Sequence, residues 1–193
     1  MPPDHRMGLA VFPSARRLSR SLENQWGPMA IKVNDWAVHA RHGVGRVVKL
    51  EVRRFDAGPE RQYYQLAIPT GTVWVPVEGS PSGLRQLTTK GDLARYRGLL
   101  RSRPTPLAAD HRQRQIALVD RLKESSFEAR CELVRDLTAH SWHKALNERS
   151  GVMLRSARHA LCAEWAAVED LSLDEATHEV DALLLEGRKT YEK

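Results

Sequence analysis

A chain of 193 residues with 41% hydrophobic and 28% charged side chains has room for one ordinary domain or two small ones, in the composition range of a soluble globular protein. No apolar run approaches the roughly 20 residues that a membrane span needs, and two cysteines without CxxC spacing, Cys131 and Cys162, fit a reduced, cytoplasmic protein. The formal net charge of +6 is unevenly spread: residues 29 to 104 hold 13 basic and 6 acidic side chains and residues 105 to 193 hold 13 and 16, as two modules with different partners would.

Residues 1 to 28 carry Arg6, Arg16, Arg17 and Arg20, four prolines and no apolar h-region, so they are no secretory signal. A flexible extension, a transit peptide and a true start at Met29 are all compatible with them.

From Val33 to Leu87 the pattern is that of strands: WAVHA, RVVKLEVRRF, a turn at DAGPE, QYYQLAI, a turn at PTG, then TVWVPV. Short strands with close turns predict a small, bent antiparallel sheet or barrel. The pair Gly43 and Gly45 stands between two apolar runs. A dinucleotide fingerprint would need a third glycine and a helix opening after it. The chain instead continues β-branched and roughly alternating, so both glycines are expected in a tight strand-to-strand bend. Pro76 cannot donate to a ladder, which places TVWVPV at a sheet edge.

From Thr89 the period becomes helical. GDLARYRGLLRS is followed by RPTP, then by LAADHRQRQIALVDRLKE, SFEARCELVRDLTAHSW, ERSGVMLRSARHALCAEWAAVED and LDEATHEVDALLLEGR. Ser125 with Glu128, and Ser172 with Glu175, have the spacing of capping boxes. The stripes Ile116, Val119 and Leu122, and Met153, Ala157, Leu161 and Trp165, are expected to bury against one another in a compact bundle. Cys131 and Cys162 fall in helical segments and are expected as buried apolar residues.

Catalytic chemistry finds few footholds. No GxSxG, HExxH or Walker loop is present, so no catalytic residue and no enzyme are expected. His39 with His42, and His140 with His143, have an i, i+3 spacing that could bring two imidazoles near one metal on a helix. Each pair shows only two ligands, and neither a metal nor another cofactor is expected. The basic and aromatic strand residues Arg53, Arg54, Tyr63, Tyr64 and Trp74 are more informative. Alternation exposes about half of such a set; the aromatics are either core or, with the arginines, anchors of a protein interface.

VNDWAVHARHGVGRVVKLEV, followed by YYQLAI, VWVPV and GLRQL, resembles the RNA-polymerase-interacting module shared by CarD-type bacterial transcription regulators and the transcription-repair coupling factor. LVRDLTAHSWHKALNERSGVMLRSARHALCAE resembles the helical domain that follows it in the CarD family. The resemblance runs from about Ala30 to about Leu184. It implies an α+β chain of two domains: a Tudor/SH3-like small bent sheet or barrel over residues 29 to 88 and an all-α bundle over 89 to 186, with a tail from 187 to 193. It implies a monomeric cytoplasmic regulator. The β domain would bind the polymerase β subunit through Arg53, Arg54 and Trp74, and the helical domain would steady the open promoter at the upstream bubble edge without reading sequence. Trp74 stands where the family often has arginine. His111 stands at the family's minor-groove tryptophan, and Gln113, Ile116 and Gly151 at basic positions, while Arg112 and Arg114 remain basic. A DNA contact through His111, Arg112 and Arg114 is therefore expected to be weak, because imidazole offers less of a wedge and fewer cations release fewer counterions. The alternative is an adaptor whose helical domain meets protein instead.

Overall fold

The computed structural model describes residues 31–55, 58–77 and 83–191. The readings of residues 1 to 28 and of the turn at Asp56 and Ala57 lie outside the described residues.

Five strands, β1 (Trp36–His39), β2 (Gly43–Arg53), β3 (Arg61–Ile68), β4 (Gly71–Pro76) and β5 (Leu84–Gln86), form one antiparallel sheet in the order β4-β3-β2-β1-β5. Ala37, Val47, Leu66 and Val75 are buried on one face, the half-buried pattern of an antiparallel sheet. Gly43 turns β1 into β2 with φ of 76°. Gly45 does something else. It lies inside β2 opposite Ala37, and a Cβ there would stand 2.7 Å from the Ala67 carbonyl oxygen and 2.8 Å from side-chain carbons of Leu66 and Ile68. Close approach of β3, not a left-handed backbone, requires that glycine.

The ladder between β2 and β3 slips at Val48: Val47 pairs with Leu66 but Lys49 already pairs with Gln65. Such a bulge shifts the alternation by one residue. Without it, Lys49, Glu51 and Arg53 would share a face with buried Val47. With it, they join Arg46 on the opposite face, and Leu50 and Val52 move to the side of Val47.

Five helices follow: α1 (Lys90–Arg101), α2 (His111–Lys123), α3 (Phe127–His143), α4 (Glu148–Glu169) and α5 (Leu173–Tyr191). Thr89, Asp110 and Asn147 cap α1, α2 and α4 through their side chains. The Ser172–Glu175 box closes α5 in both directions. The other expected box shifts by one. Ser126 caps α3 by accepting from the Ala129 N–H, while Ser125 takes φ of 52° and leads the chain into the helix. Helix α5 also continues to Tyr191, past residue 186 where a tail was expected, and its buried Gly187 packs so close to the end of α1 that an added Cβ would stand 2.9 Å from the Arg101 carbonyl oxygen.

Leu93, Leu100, Phe127, Leu133, Leu137, Leu161, Trp165, Val180 and Leu184 make the helical core, with Tyr96 edge-on to Phe127 at 4.8 Å between centroids. Helix α2 departs from expectation: Leu118 is its buried residue, while Ile116 is 55% and Leu122 42% exposed. The stripe Ala157, Leu161 and Trp165 of α4 is buried as expected, with Met153 packed at its margin.

Sheet and helices meet at a buried carboxylate. Glu164 on α4, fully buried, accepts Arg85 Nη1 and Nη2 of β5 at 2.7 and 2.6 Å, the Thr88 N–H at 3.1 Å and Arg130 Nη1 of α3 at 3.2 Å. Arg85 Nε also donates to the Ser125 carbonyl at 2.8 Å. A buried charge held by a bidentate fork and two further donors is fully satisfied, so β5 is fastened to both α3 and α4.

Candidate functional site

The bulge gathers Lys49, Glu51 and Arg53 on the face where Arg61, Tyr63, Gln65, Trp74 and Pro76 stand on the neighbouring strands, because residues paired across antiparallel strands share a face. The Arg53 guanidinium lies 3.7 Å from the Trp74 ring centroid, a stacked cation on an aromatic plane. Glu51 pairs with both Lys49 and Arg53. Those hydrogen bonds, from Lys49 first and then Arg53, hold its carboxyl below the usual carboxylate range. Arg61 sits directly across from Arg53, and Phe55 lies edge-on to Tyr63 at 4.8 Å. The result is a basic and aromatic surface, its Lys49, Arg53 and Arg61 exposed and its Tyr63 and Trp74 half-buried, with Arg53 pre-oriented by two partners.

Strand β4 borders this surface and, among the described residues, has no second neighbour in the sheet. Val77 N–H donates to the Gln62 carbonyl at 2.9 Å. Antiparallel pairs alternate between bonded and non-bonded, so Val75 and Val73 face β3 with their backbone groups, and Trp74 and Thr72 turn theirs outward. Pro76 is the next outward position and has no N–H to leave unpaired. The free edge is therefore a short template, Thr72 to Trp74, beside the Arg53–Trp74 stack.

Of the three residues expected to meet polymerase, the fold brings Arg53 and Trp74 together. Arg54 points elsewhere: its Nε donates to the Gly58 carbonyl at 2.8 Å and braces the connection to β3. Tyr63 was among the candidates read from the sequence, but Arg61 and Phe55 were missed: only the register across β2 and β3 sets Arg61 opposite Arg53, and only the folded chain brings the Phe55 ring to Tyr63.

The helical residues divide too. His111 opens α2, and its Nε2 lies 3.1 Å from Asn147 Nδ2, the cap of α4, so the starts of two helices meet there. Arg112 is exposed. Arg114 instead turns back to the Ala108 and Ala109 carbonyls, at 2.7 and 3.2 Å. Gly151 occupies the first turn of α4, flanked by exposed Arg149 and Arg155. Those two arginines were overlooked in the sequence, because what sets their helix beside the start of α2 is the Asn147–His111 contact, which depends on the loop that returns α3 into α4.

The histidine pairs serve structure or line other surfaces. His39 and His42 lie at the turn between β1 and β2, not on a helix, and His39 Nδ1 accepts the N–H of Arg41 and His42 at 3.1 and 3.2 Å. Partial burial, then His42 and Arg41, hold the His39 imidazole below its ordinary value. No group of three or more His, Cys, Asp or Glu is arranged to hold a metal among the described residues. Cys131 and Cys162 are buried, and burial pushes both thiols up, away from the thiolate that reactivity needs. No helix among the described residues is long and apolar enough to cross a membrane.

Residues 31–88 match the family model described as CarD-like/TRCF RID domain, and residues 97–181 match the model described as CarD, C-terminal domain. The two matches follow the division into sheet and helices and cover both surfaces described above. A search of curated proteins finds no match.

Proposed function

The chain belongs to the CarD-type family of RNA-polymerase-interacting transcription regulators, and on that premise we propose that its sheet docks on the polymerase β subunit through Arg53, Trp74 and the free edge of β4. The starts of α2 and α4 then face promoter DNA at the upstream edge of the bubble and modulate the open complex without reading bases. In this reading residues 29–88 are the polymerase-binding domain and residues 89–191 the DNA-facing domain of a cytoplasmic, bacterial, monomeric regulator that catalyses no reaction.

The observation that carries the polymerase half is the Arg53–Trp74 stack beside the outward-facing backbone groups of β4. A strand edge supplies main-chain hydrogen bonds and adjacent side chains supply selectivity, while arginine and tryptophan are the types that dominate interface energy. Arg53 and Trp74 form the anchor, Arg61 adds charge, and Arg54 shapes the loop beside them.

The DNA half relies on Arg112, Arg149 and Arg155 as phosphate contacts and on His111 at the base step. Phosphate contacts position a protein without specifying a sequence, which suits a regulator that recognises an open complex by shape. A second reading, in which the helical domain meets protein, is favoured by the exposure of Ile116 (55%) and Val152 (51%) on these same two helices and by the inward turn of Arg114.

Binding of the full chain to polymerase core tests the docking. Arg53→Glu should weaken the complex by about 1–3 kcal/mol, since it removes a stacked cation and sets a carboxylate beside Glu51. An unchanged affinity would place Arg53 outside the interface. In the same assay, open promoter DNA should tighten the complex, more so at low salt; if it does not, the protein-contact reading of the helical domain stands.

A further inference from the structure

Between the α1–α2 loop and the C-terminal turns of α3 and α5 lies a cleft of about 320 Å³, at the small end of ligand cavities. Arg103, His140, His143 and Arg188 bring cationic or proton-binding groups to it, and Trp142 and Tyr191 bring aromatic rings. The Arg188 guanidinium lies over the Trp142 ring, 4.8 Å from its centroid, so one wall is already a layered plane of ring and cation.

Among the described residues one carboxylate, Asp136, also lines the cleft, but its charge is spoken for. It accepts the Thr105 N–H at 2.9 Å, Arg121 Nη1 at 2.8 Å and Arg135 Nε at 2.8 Å. The first of these pins the loop Pro104–Thr105–Pro106, whose prolines fix φ on both sides, so the cleft is preformed and a ligand need not order it. Arg103 projects from that loop, exposed. His140 sits in positive surroundings: partial burial first, then Arg114, Lys144 and His143, hold its imidazole below the ordinary value. An anion beside it would reverse that balance.

We propose that this cleft binds a nucleoside phosphate, with the phosphate between Arg103 and His140 and the base stacked at the Trp142–Arg188 wall. A guanidinium fork matches the geometry of a phosphate, taking two of its oxygens at once, and aromatic and guanidinium planes are the surfaces on which bases stack. An inorganic anion would leave the ring wall unused, and an apolar ligand would leave Arg103 and His140 unengaged. A free mononucleotide and one nucleotide of a single strand share this chemistry. The site is independent of polymerase docking.

Calorimetric titration of the full chain with AMP, GMP, CMP and UMP, with adenosine, with inorganic phosphate and with oligo(dT), joined to NMR of the Trp142 indole and His140 ring, tests it. Saturable one-to-one binding of a mononucleotide is expected, with shifts at Trp142 and His140 and at least about tenfold weaker binding of phosphate or adenosine alone. Arg103→Ala, on an exposed loop position, should weaken binding about tenfold, with helicity by circular dichroism unchanged. An oligonucleotide that binds tighter, shifts Trp142 and stays sensitive to Arg103→Ala would also support the site and name a strand as its source. No binding by any probe at millimolar concentration, affinity indifferent to Arg103→Ala, or phosphate binding as tightly as nucleotides would overturn the proposal.

Discussion

Replacing Glu164 with alanine should lower the unfolding free energy by about 3–5 kcal/mol, read from the midpoint of urea denaturation. The carboxylate is fully buried and answers Arg85, Arg130 and the Thr88 N–H at once. Its loss leaves two guanidiniums facing each other, with Arg130 itself largely out of water, and burial already works against the Arg130 charge. The uncompensated charges, more than the lost hydrogen bonds, set the size of the effect. Removing Arg85 as well should recover part of the loss, a coupling that a double-mutant cycle measures. A loss below about 1 kcal/mol would show that water reaches the arginines once the carboxylate is gone. Arg85 is the last charged residue of the sheet and Glu164 lies in the bundle, so the same variant loosens the join that holds the sheet in register with the helices.

Gly45→Val should cost about 3 kcal/mol, at the upper end of overpacking effects. The new Cβ would meet a backbone oxygen of β3 and two of its side chains below 3 Å. Backbone cannot rotate aside as a flexible side chain would, so β3 must shift relative to β2. The Arg53–Trp74 stack spans three strands, so this core substitution should also weaken polymerase binding although no surface residue changes. A variant with wild-type stability would mean that the sheet yields more readily than its packing indicates.

Apart from the three-residue β5, element order, the antiparallel sheet, the burial of both cysteines and the Ser172–Glu175 box were legible in the sequence, because each depends on local period or on residues within one turn. Arg53 and Trp74 were legible as interface types, and the family resemblance is matched by both family models. What was hidden depends on tertiary contact. The bulge at Val48 leaves no mark in RVVKLEV, yet it decides which face carries the charges. Gly45 beside Gly43 looks like turn punctuation until β3 lies against it. Ile116 and Leu122 fit a core stripe by spacing, but the bundle takes only Leu118 from α2. Arg114 remains basic in sequence while its side chain is spent on the loop before the helix. Glu164 stands in LCAEWAA, the one acid between Glu148 and Glu169, and only its pairing with Arg85, 79 positions earlier, makes its burial possible.

Hydrogen exchange of the full chain, alone and with polymerase core, tests the docking most directly. The Thr72 and Trp74 amides face away from the sheet, so they should exchange quickly in the free protein and slow markedly in the complex, while the Val73 and Val75 amides, already bonded to β3, change less. Unchanged exchange at Thr72 and Trp74, with slowing confined to the helices, would contradict docking through this edge.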